Sequence, residues 1–197
     1  MLIENKGIQT DAFYVPPFTL KKGEIIILHL FNDERSHNAE MVLKDIFTGK
    51  LKDKNVIVYT ALTFVDYIFE PKFKSLFRPF NVGNYLKKNA NSNSPYATKI
   101  YETDWITPKT KINWLPGTPR KQLSLFASLT KTNNIIFDLS GLDKKGAEET
   151  YMIVKEIVKK GGAAIFLDYF GDIKNDCTQY IELQWNNPEL NKWIMNK

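Results

Sequence analysis

Apolar and polar positions along this chain form two kinds of segment that alternate. Four short runs are apolar almost throughout: EIIILHL (Glu24 to Leu30), NVIVYT (Asn55 to Thr60), NNIIFD (Asn133 to Asp138) and AAIFLD (Ala163 to Asp168). Each is rich in branched or aromatic residues and is bounded by polar or glycine positions. A strand covered on both faces needs continuous rather than alternating hydrophobicity, so the four runs predict a parallel sheet buried on both sides. A fifth run, TQYIEL (Thr178 to Leu183), reads as an edge strand.

Helical patterns lie between the strands. From Asp143 to Lys160 the apolar residues Ala147, Tyr151, Val154 and Val158 share one helical stripe. Asp143 can cap its start, and Gly161-Gly162 can end it in a left-handed turn. Pro119 suits the first position of another helix with Thr118 as its cap, and Leu123, Phe126, Ala127 and Thr130 would line its buried face. Strand and helix in alternation predict an α/β sheet domain. The stretch 84–115 has no clean period and an Asn/Ser/Pro-rich patch at Asn89 to Pro95; it predicts a short helix, a loop and a small irregular insertion in which Trp105 and Trp114 need local packing partners.

Composition narrows this picture. The 197 residues suffice for one generous domain or two small lobes, and 43% hydrophobic with 25% charged residues is a normal globular balance. The single cysteine, Cys177, excludes an internal disulfide framework and points to a reducing compartment. The first residues, MLIENKGIQT, lack a signal pattern, and the longest apolar run, Ile25 to Leu30, is too short to span a bilayer. A cytoplasmic protein without membrane insertion is expected. The net charge of +5 raises the class of nucleic-acid or anionic-surface binders. The lysines are scattered, however, arginine occurs only at Arg35, Arg78 and Arg120, and no stacking motif accompanies them. A solvated basic surface is the expectation, with no nucleic-acid partner. His29 and His37 are the only histidines, and no cluster of telling spacing suggests a metal site.

The blocks FTLKKGEIIIL (Phe18 to Leu28), DIFTGKL (Asp45 to Leu51), LFRPFNVGNYL (Leu76 to Leu86), LPGTPRKQLSLFASL (Leu115 to Leu129), IIFDLSGLD (Ile135 to Asp143), GGAAIFLDYF (Gly161 to Phe170) and DCTQYIEL (Asp176 to Leu183) follow one order along the chain. In that order they resemble the ATP-binding domains of ABC transporters. They match, in turn, the first core strand, the end of the helix after the phosphate loop, the segment after the Q-loop, the signature, Walker B with the D-loop, the strand before the H-loop, and the terminal strand. The resemblance implies a P-loop NTPase-like three-layer core with a mainly parallel sheet, a small N-terminal antiparallel β part, and a shortened insertion in place of the helical subdomain. It implies a single domain over 1–197: a β-rich opening and first core strand at 1–30, the reduced insertion at 84–115, core strands and helices at 116–185, and a tail helix at 186–197.

The same resemblance assigns the nucleotide positions. A phosphate loop needs glycines for its backbone nest, a lysine for the β/γ oxygens and a Ser/Thr for Mg²⁺. No glycine occurs between Gly23 and Gly49. Counting back from Gly49 places Walker A on His37, Asn38, Ala39, Glu40, Met41 and Val42, with Glu40 in place of the lysine. Counting forward from Gly23 places its last positions on Arg35, Ser36, His37 and Asn38. The Q-loop glutamine falls near Lys72. The signature keeps Gly117 but has Pro116 for the serine, and Thr118 and Pro119 for the glycine and glutamine. Walker B keeps Asp138, followed by Leu139 where a catalytic carboxylate belongs; the D-loop keeps Asp143; the H-loop histidine falls near Tyr169. Losing one partner of a desolvated charge pair costs about 2–5 kcal/mol, and Leu139 cannot polarise a water.

The expectation is therefore a pseudo-ATPase with no catalytic residues, no bound cofactor and no metal, acting as an interaction or regulatory subunit. Its partners would be an ABC ATPase subunit, itself, or a membrane permease docking near the aromatics Phe73, Phe77 and Phe80, which would hold it at the inner face of the membrane. The alternative is a divergent ABC subunit that still binds Mg-ATP through a site remodelled around Arg35, His37 or Lys44.

Overall fold

The computed structural model describes residues 1–69 and 80–186. Three of the four apolar runs form adjacent central strands. β5 (Ile25–His29), β8 (Asn134–Phe137) and β9 (Ala163–Asp168) lie in a five-stranded sheet of order β10-β5-β9-β8-β7, where β10 is Gln179–Glu182 and β7 is Thr63–Phe64. Every pairing in it is parallel, with His29 opposite Asp168 and Phe137 opposite Phe166. β10 closes one edge, as TQYIEL predicts, and the short β7 closes the other.

The central strands are apolar on both faces because each face meets a different core. Ile25 and Ile27 of β5, Ile135 and Phe137 of β8, and Ala164 and Phe166 of β9 pack with the helices α3 (Gly117–Leu129) and α4 (Lys144–Lys159). Their alternates, Ile26, Leu28, Ile136, Ile165 and Leu167, pack with Leu43, Ile46 and Phe47 of α1 (Ser36–Phe47) and with the N-terminal strands. The pleat's period of two thus divides the interior into two cores with the sheet between them, a three-layer α/β core.

The first residues form the small antiparallel part. β1 (Ile3–Asn5) pairs with both β4 (Phe18–Leu20) and β6 (Val56–Val58), and β3 (Phe13–Val15) pairs with β2 (Ile8–Gln9) and β11 (Gln184–Trp185). Here the sequence expectation needs correction. NVIVYT is no central parallel strand; β6 is antiparallel, and Ile57 is 41% exposed. An apolar run of that length reports β propensity more than depth.

The helices follow their stripes. Asp143 caps α4, its Oδ1 accepting from Gly146 N at 2.7 Å, and Gly161 leaves the helix at φ 95°. α3 begins two residues earlier than Pro119 suggests, with Pro116 at the cap position and no capping side chain, so Thr118 is no cap. Pro119 sits within the first turn, where a missing N–H loses no helical bond. The irregular stretch carries α2 (Val82–Asn89) and two 3₁₀ segments, Pro95–Glu102 and Ile112–Trp114. Trp105 and Trp114 do not find the apolar cover expected of them: they are 51% and 66% exposed, and the Lys111 ammonium lies over the Trp114 ring at 4.9 Å. The tail assigned to 186–197 falls, beyond Asn186, outside the described residues, as do Lys72, Phe73 and Phe77.

Candidate functional site

In an open parallel sheet, ligands gather beyond the carboxyl ends of the strands. At that end of this sheet β5 leads through 30–35 into α1, β8 is followed by Asp138, and β9 ends at Asp168 with Tyr169 next. Most positions singled out from the sequence converge there, and the side chains of Arg35, Ser36, Glu40, Asp138 and Tyr169 are already bonded within the chain.

The strand-to-helix turn is closed on itself. Phe31 takes a left-handed φ of 62°, the Ser36 hydroxyl donates to the carbonyls of Leu30 (2.9 Å) and Phe31 (2.8 Å), and Ser36 N–H bonds Asp33 O at 3.0 Å. One carboxylate oxygen of Asp33 accepts from the backbone N–H and from Nε of Arg35, both at 2.9 Å. That hydrogen bond to Arg35 holds the Asp33 carboxyl below its usual range, although partial burial opposes it. The Arg35 guanidinium also lies 4.3 Å from the Trp185 ring centroid. A helix N-terminus favours an anion; here the chain supplies one, Asp33, beside the start of α1.

His37, Asn38, Ala39, Glu40, Met41 and Val42 lie on α1 rather than on the turn, so the two sequence counts are not equivalent: only Arg35 and Ser36, from the forward count, sit where strand gives way to helix. His37 and Asn38 are exposed, Ala39 and Glu40 buried. The buried Glu40 carboxylate accepts a hydrogen bond from the phenol of Tyr169, and His37 Nδ1 stands 3.6 Å from it. Burial, this bond and the charges of Glu40 and Asp138 hold the Tyr169 hydroxyl firmly protonated, far above the ordinary tyrosine range. The positions assigned to the Walker A lysine and the H-loop histidine therefore bond each other directly. Beside them, His29 Nδ1 meets Asp168 Oδ2 at 3.1 Å, and Asp168 also accepts from Phe170 N (3.1 Å) and Gly171 N (2.8 Å).

Asp138 is engaged through both oxygens. Oδ1 accepts from Ser140 N at 2.8 Å, and Oδ2 meets the ammonium of Lys121 at 2.6 Å. Lys121, on α3, is 1% exposed and donates a second bond to Val65 O at 3.0 Å. Nothing in the sequence pattern singles out this residue. The Leu123 stripe puts Lys121 on the polar side of α3, and its partner lies 17 residues further on. Leu139 packs against the α3/α4 core.

Gly117 and Asp143 have close-packing and capping roles. A Cβ at Gly117 would stand 2.2 Å from the Gly141 carbonyl oxygen, so the start of α3 presses on the turn after β8. Asp143 caps α4 through Gly146, whose missing Cβ makes room for Thr118. Arg120 Nη2 donates to the carbonyls of Asn113 and Leu115. Lys44, a candidate phosphate ligand, lies 3.9 Å from Asp66 Oδ1 and 4.8 Å from the Phe64 ring centre. Phe80, half-buried, packs on the α3/α4 core.

Among the described residues no group of His, Cys, Asp and Glu could hold a metal ion, and no helix is long and apolar enough to cross a membrane. A cavity of about 320 Å³ opens beside the start of α1, lined by Phe13, Arg35, Asn38, Ala39, Val42 and Trp185 among others.

This architecture is that of the ATP-binding domains of ABC transporters. The chain superposes on an ABC transporter ATP-binding protein from Pyrococcus furiosus with a TM-score of 0.69 at 16% identity, over 92% of this chain and 97% of that one. An ATP-binding cassette of an ABC transporter, solved in its ADP conformation, matches at 0.66 and 13% identity, over 100% of this chain and 98% of that one. For cbiO1 from Clostridium perfringens, part of the ABC transporter complex cbiONQ, the values are 0.63 and 16%, over 93% and 84%. No protein-family model and no curated protein matches the sequence. The parallel sheet, the antiparallel N-terminal part and the order of the blocks thus bear out the predicted ABC ATPase-like, P-loop NTPase-like fold.

Mg-ATP, the ligand this fold implies, does not fit the residues present. A metal at Asp138 would have to displace the Lys121 ammonium, and a phosphate near the start of α1 would meet the carboxylates of Asp33 and Glu40.

Proposed function

We propose that this protein is a non-catalytic, ABC-ATPase-like subunit that uses the α/β scaffold as an interaction or regulatory surface in an ABC transporter. The bond between Glu40 and Tyr169 carries this reading. A carboxylate stands where the resemblance puts the phosphate-binding lysine, and its partner is the residue that stands for the H-loop histidine. Leu139, following Asp138, leaves the water without a base. The partners are a competent ABC ATPase subunit, a second copy of this chain, or a membrane permease, and the protein works at the cytoplasmic face of the membrane through that partner.

A thermal-shift titration with Mg-ATP tests the reading. Ligand at 100 times Kd adds about 2.7 kcal/mol, a rise of roughly 5–10 °C for a domain of this size; the melting temperature is expected to stay unchanged at millimolar Mg-ATP. ATP turnover abolished by Asp138→Asn would overturn it. Affinity capture at native expression is expected to bring down a permease or a second ABC ATPase. The cavity bounded by Phe13, Arg35 and Trp185 favours the second reading, a divergent subunit that still binds ATP; a saturable Mg-ATP shift would select it.

A further inference from the structure

We propose that Lys121 is a tethered cation that does for Asp138 what a bound divalent metal would do, so that the domain holds its site together without metal. This rests on the non-catalytic reading and concerns the same site. The ammonium is almost fully enclosed. It has Asp138 Oδ2 at 2.6 Å, Val65 O at 3.0 Å and the Phe64 ring centre at 5.9 Å. The partners belong to the carboxyl ends of two adjacent strands: Asp138 follows β8, Phe64 ends β7, and Val65, the next residue, is tied to β8 by its N–H to Ile136 O at 2.9 Å. Lys121 reaches them from α3, which presses on the turn after β8 through Gly117 and Gly141.

Two facts set this pair apart from an ordinary buried ion pair. Asp138 stands where the resemblance to the ABC-transporter domains puts the carboxylate that orients Mg²⁺, and its other oxygen is already taken by Ser140 N–H. A divalent ion and an ammonium cannot share one carboxylate oxygen at that separation without strong like-charge repulsion. A buried ammonium–carboxylate pair also gains little over well-packed apolar residues, whereas a lone buried carboxylate is strongly unfavourable. With Asp138 kept, a cation has to stand beside it, and Lys121 brings that cation as part of the chain.

Manganese(II) alone, without nucleotide, is the probe, read by the electron paramagnetic resonance signal of the free ion and by the melting temperature of the full chain. Wild type leaves both unchanged. Lys121→Ala melts lower, binds Mn²⁺ at least about tenfold more tightly than wild type, and regains melting temperature on adding it. Lys121→Ala with Asp138→Asn binds no Mn²⁺. Should Lys121→Ala not fold, Lys121→Gln, which keeps a donor for Val65 O, takes its place with the same outcomes. Mn²⁺ binding by wild type through Asp138 would overturn the proposal, and so would a folded Lys121 variant as inert to Mn²⁺ as wild type. Nucleotide separates the two ideas. Metal-independent ATP turnover by wild type would end the non-catalytic reading and leave the tethered cation standing. An inert Lys121 variant beside an ATP-silent wild type would do the reverse.

Discussion

The Tyr169 phenol, at the end of β9, donates its hydrogen bond to the carboxylate of Glu40 in α1, residues 129 apart in sequence. Glu40 is 8% exposed. Removing the phenol would leave a buried carboxylate without that donor, at a cost of about 1–3 kcal/mol. Tyr169→Phe should lower the melting temperature by roughly 2–4 °C for each kcal/mol, and adding Glu40→Leu should recover part of the loss. A single variant that melts with wild type would show that the contact contributes nothing in solution.

Gly117 offers a way to separate packing from nucleotide chemistry. Its Cβ would stand 2.2 Å from backbone, the carbonyl oxygen of Gly141, which has no flexible end to move aside. Gly117→Ala is expected to destabilise by about 1–3 kcal/mol, measured by urea denaturation with or without ATP. Loss of an ATP response at unchanged stability is the contrary outcome, and it would make Gly117 a ligand-binding residue after all.

The Asp33–Arg35 pair predicts an acid-dependent term. The Asp33 carboxyl sits below its usual value of 3.8 in the folded chain, chiefly through its hydrogen bond to Arg35. The folded state therefore binds this proton less readily than the unfolded state does. The stabilisation is complete above that usual value and is lost as pH falls below it. Because the pair is well solvated the effect is small. Asp33→Asn should flatten the decline of stability on the acid side of 3.8 and leave it unchanged near neutrality; equal acid slopes for the two proteins would contradict this.

Asp143 is predicted to act as a cap alone. Its Oδ1 satisfies Gly146 N–H at the start of α4. Asp143→Ala should cost about 1 kcal/mol, and Asp143→Asn or Asp143→Ser should restore most of it. If neither polar residue rescued stability, the carboxylate would have a role beyond capping.

What could be read from the sequence follows from how local the signal is. The central strands β5, β8 and β9 announce themselves because both faces of each are buried, and the edge position of β10 follows from its weaker pattern. The stripe and cap of α4 are local as well. NVIVYT misleads because β6 is paired to β1, more than fifty residues earlier, on a half-exposed sheet that its own residues do not encode. β7, with two residues, is below any periodic signal. In the site, the resemblance supplied Glu40, Asp138 and Tyr169 as positions, but not their partners. Lys121 was invisible because a buried lysine on a helix looks like a solvated one until the carboxylate that justifies it is brought alongside.

The place of β5 in the sheet also bears on how the chain is made. Its two neighbours are β9 and β10, so Ile26 waits for Ile165 and Gln179. During synthesis this buried central strand leaves the ribosome with neither partner yet translated, and local contacts cannot close the sheet around it. Such long-range pairing folds slowly and leaves apolar surface open to chaperones and proteases. Nascent chains stalled before Ala163 should remain sensitive to a brief protease pulse, and protection should arise only once β9 and β10 have been released. Early protection would mean that the antiparallel N-terminal strands shield β5 on their own.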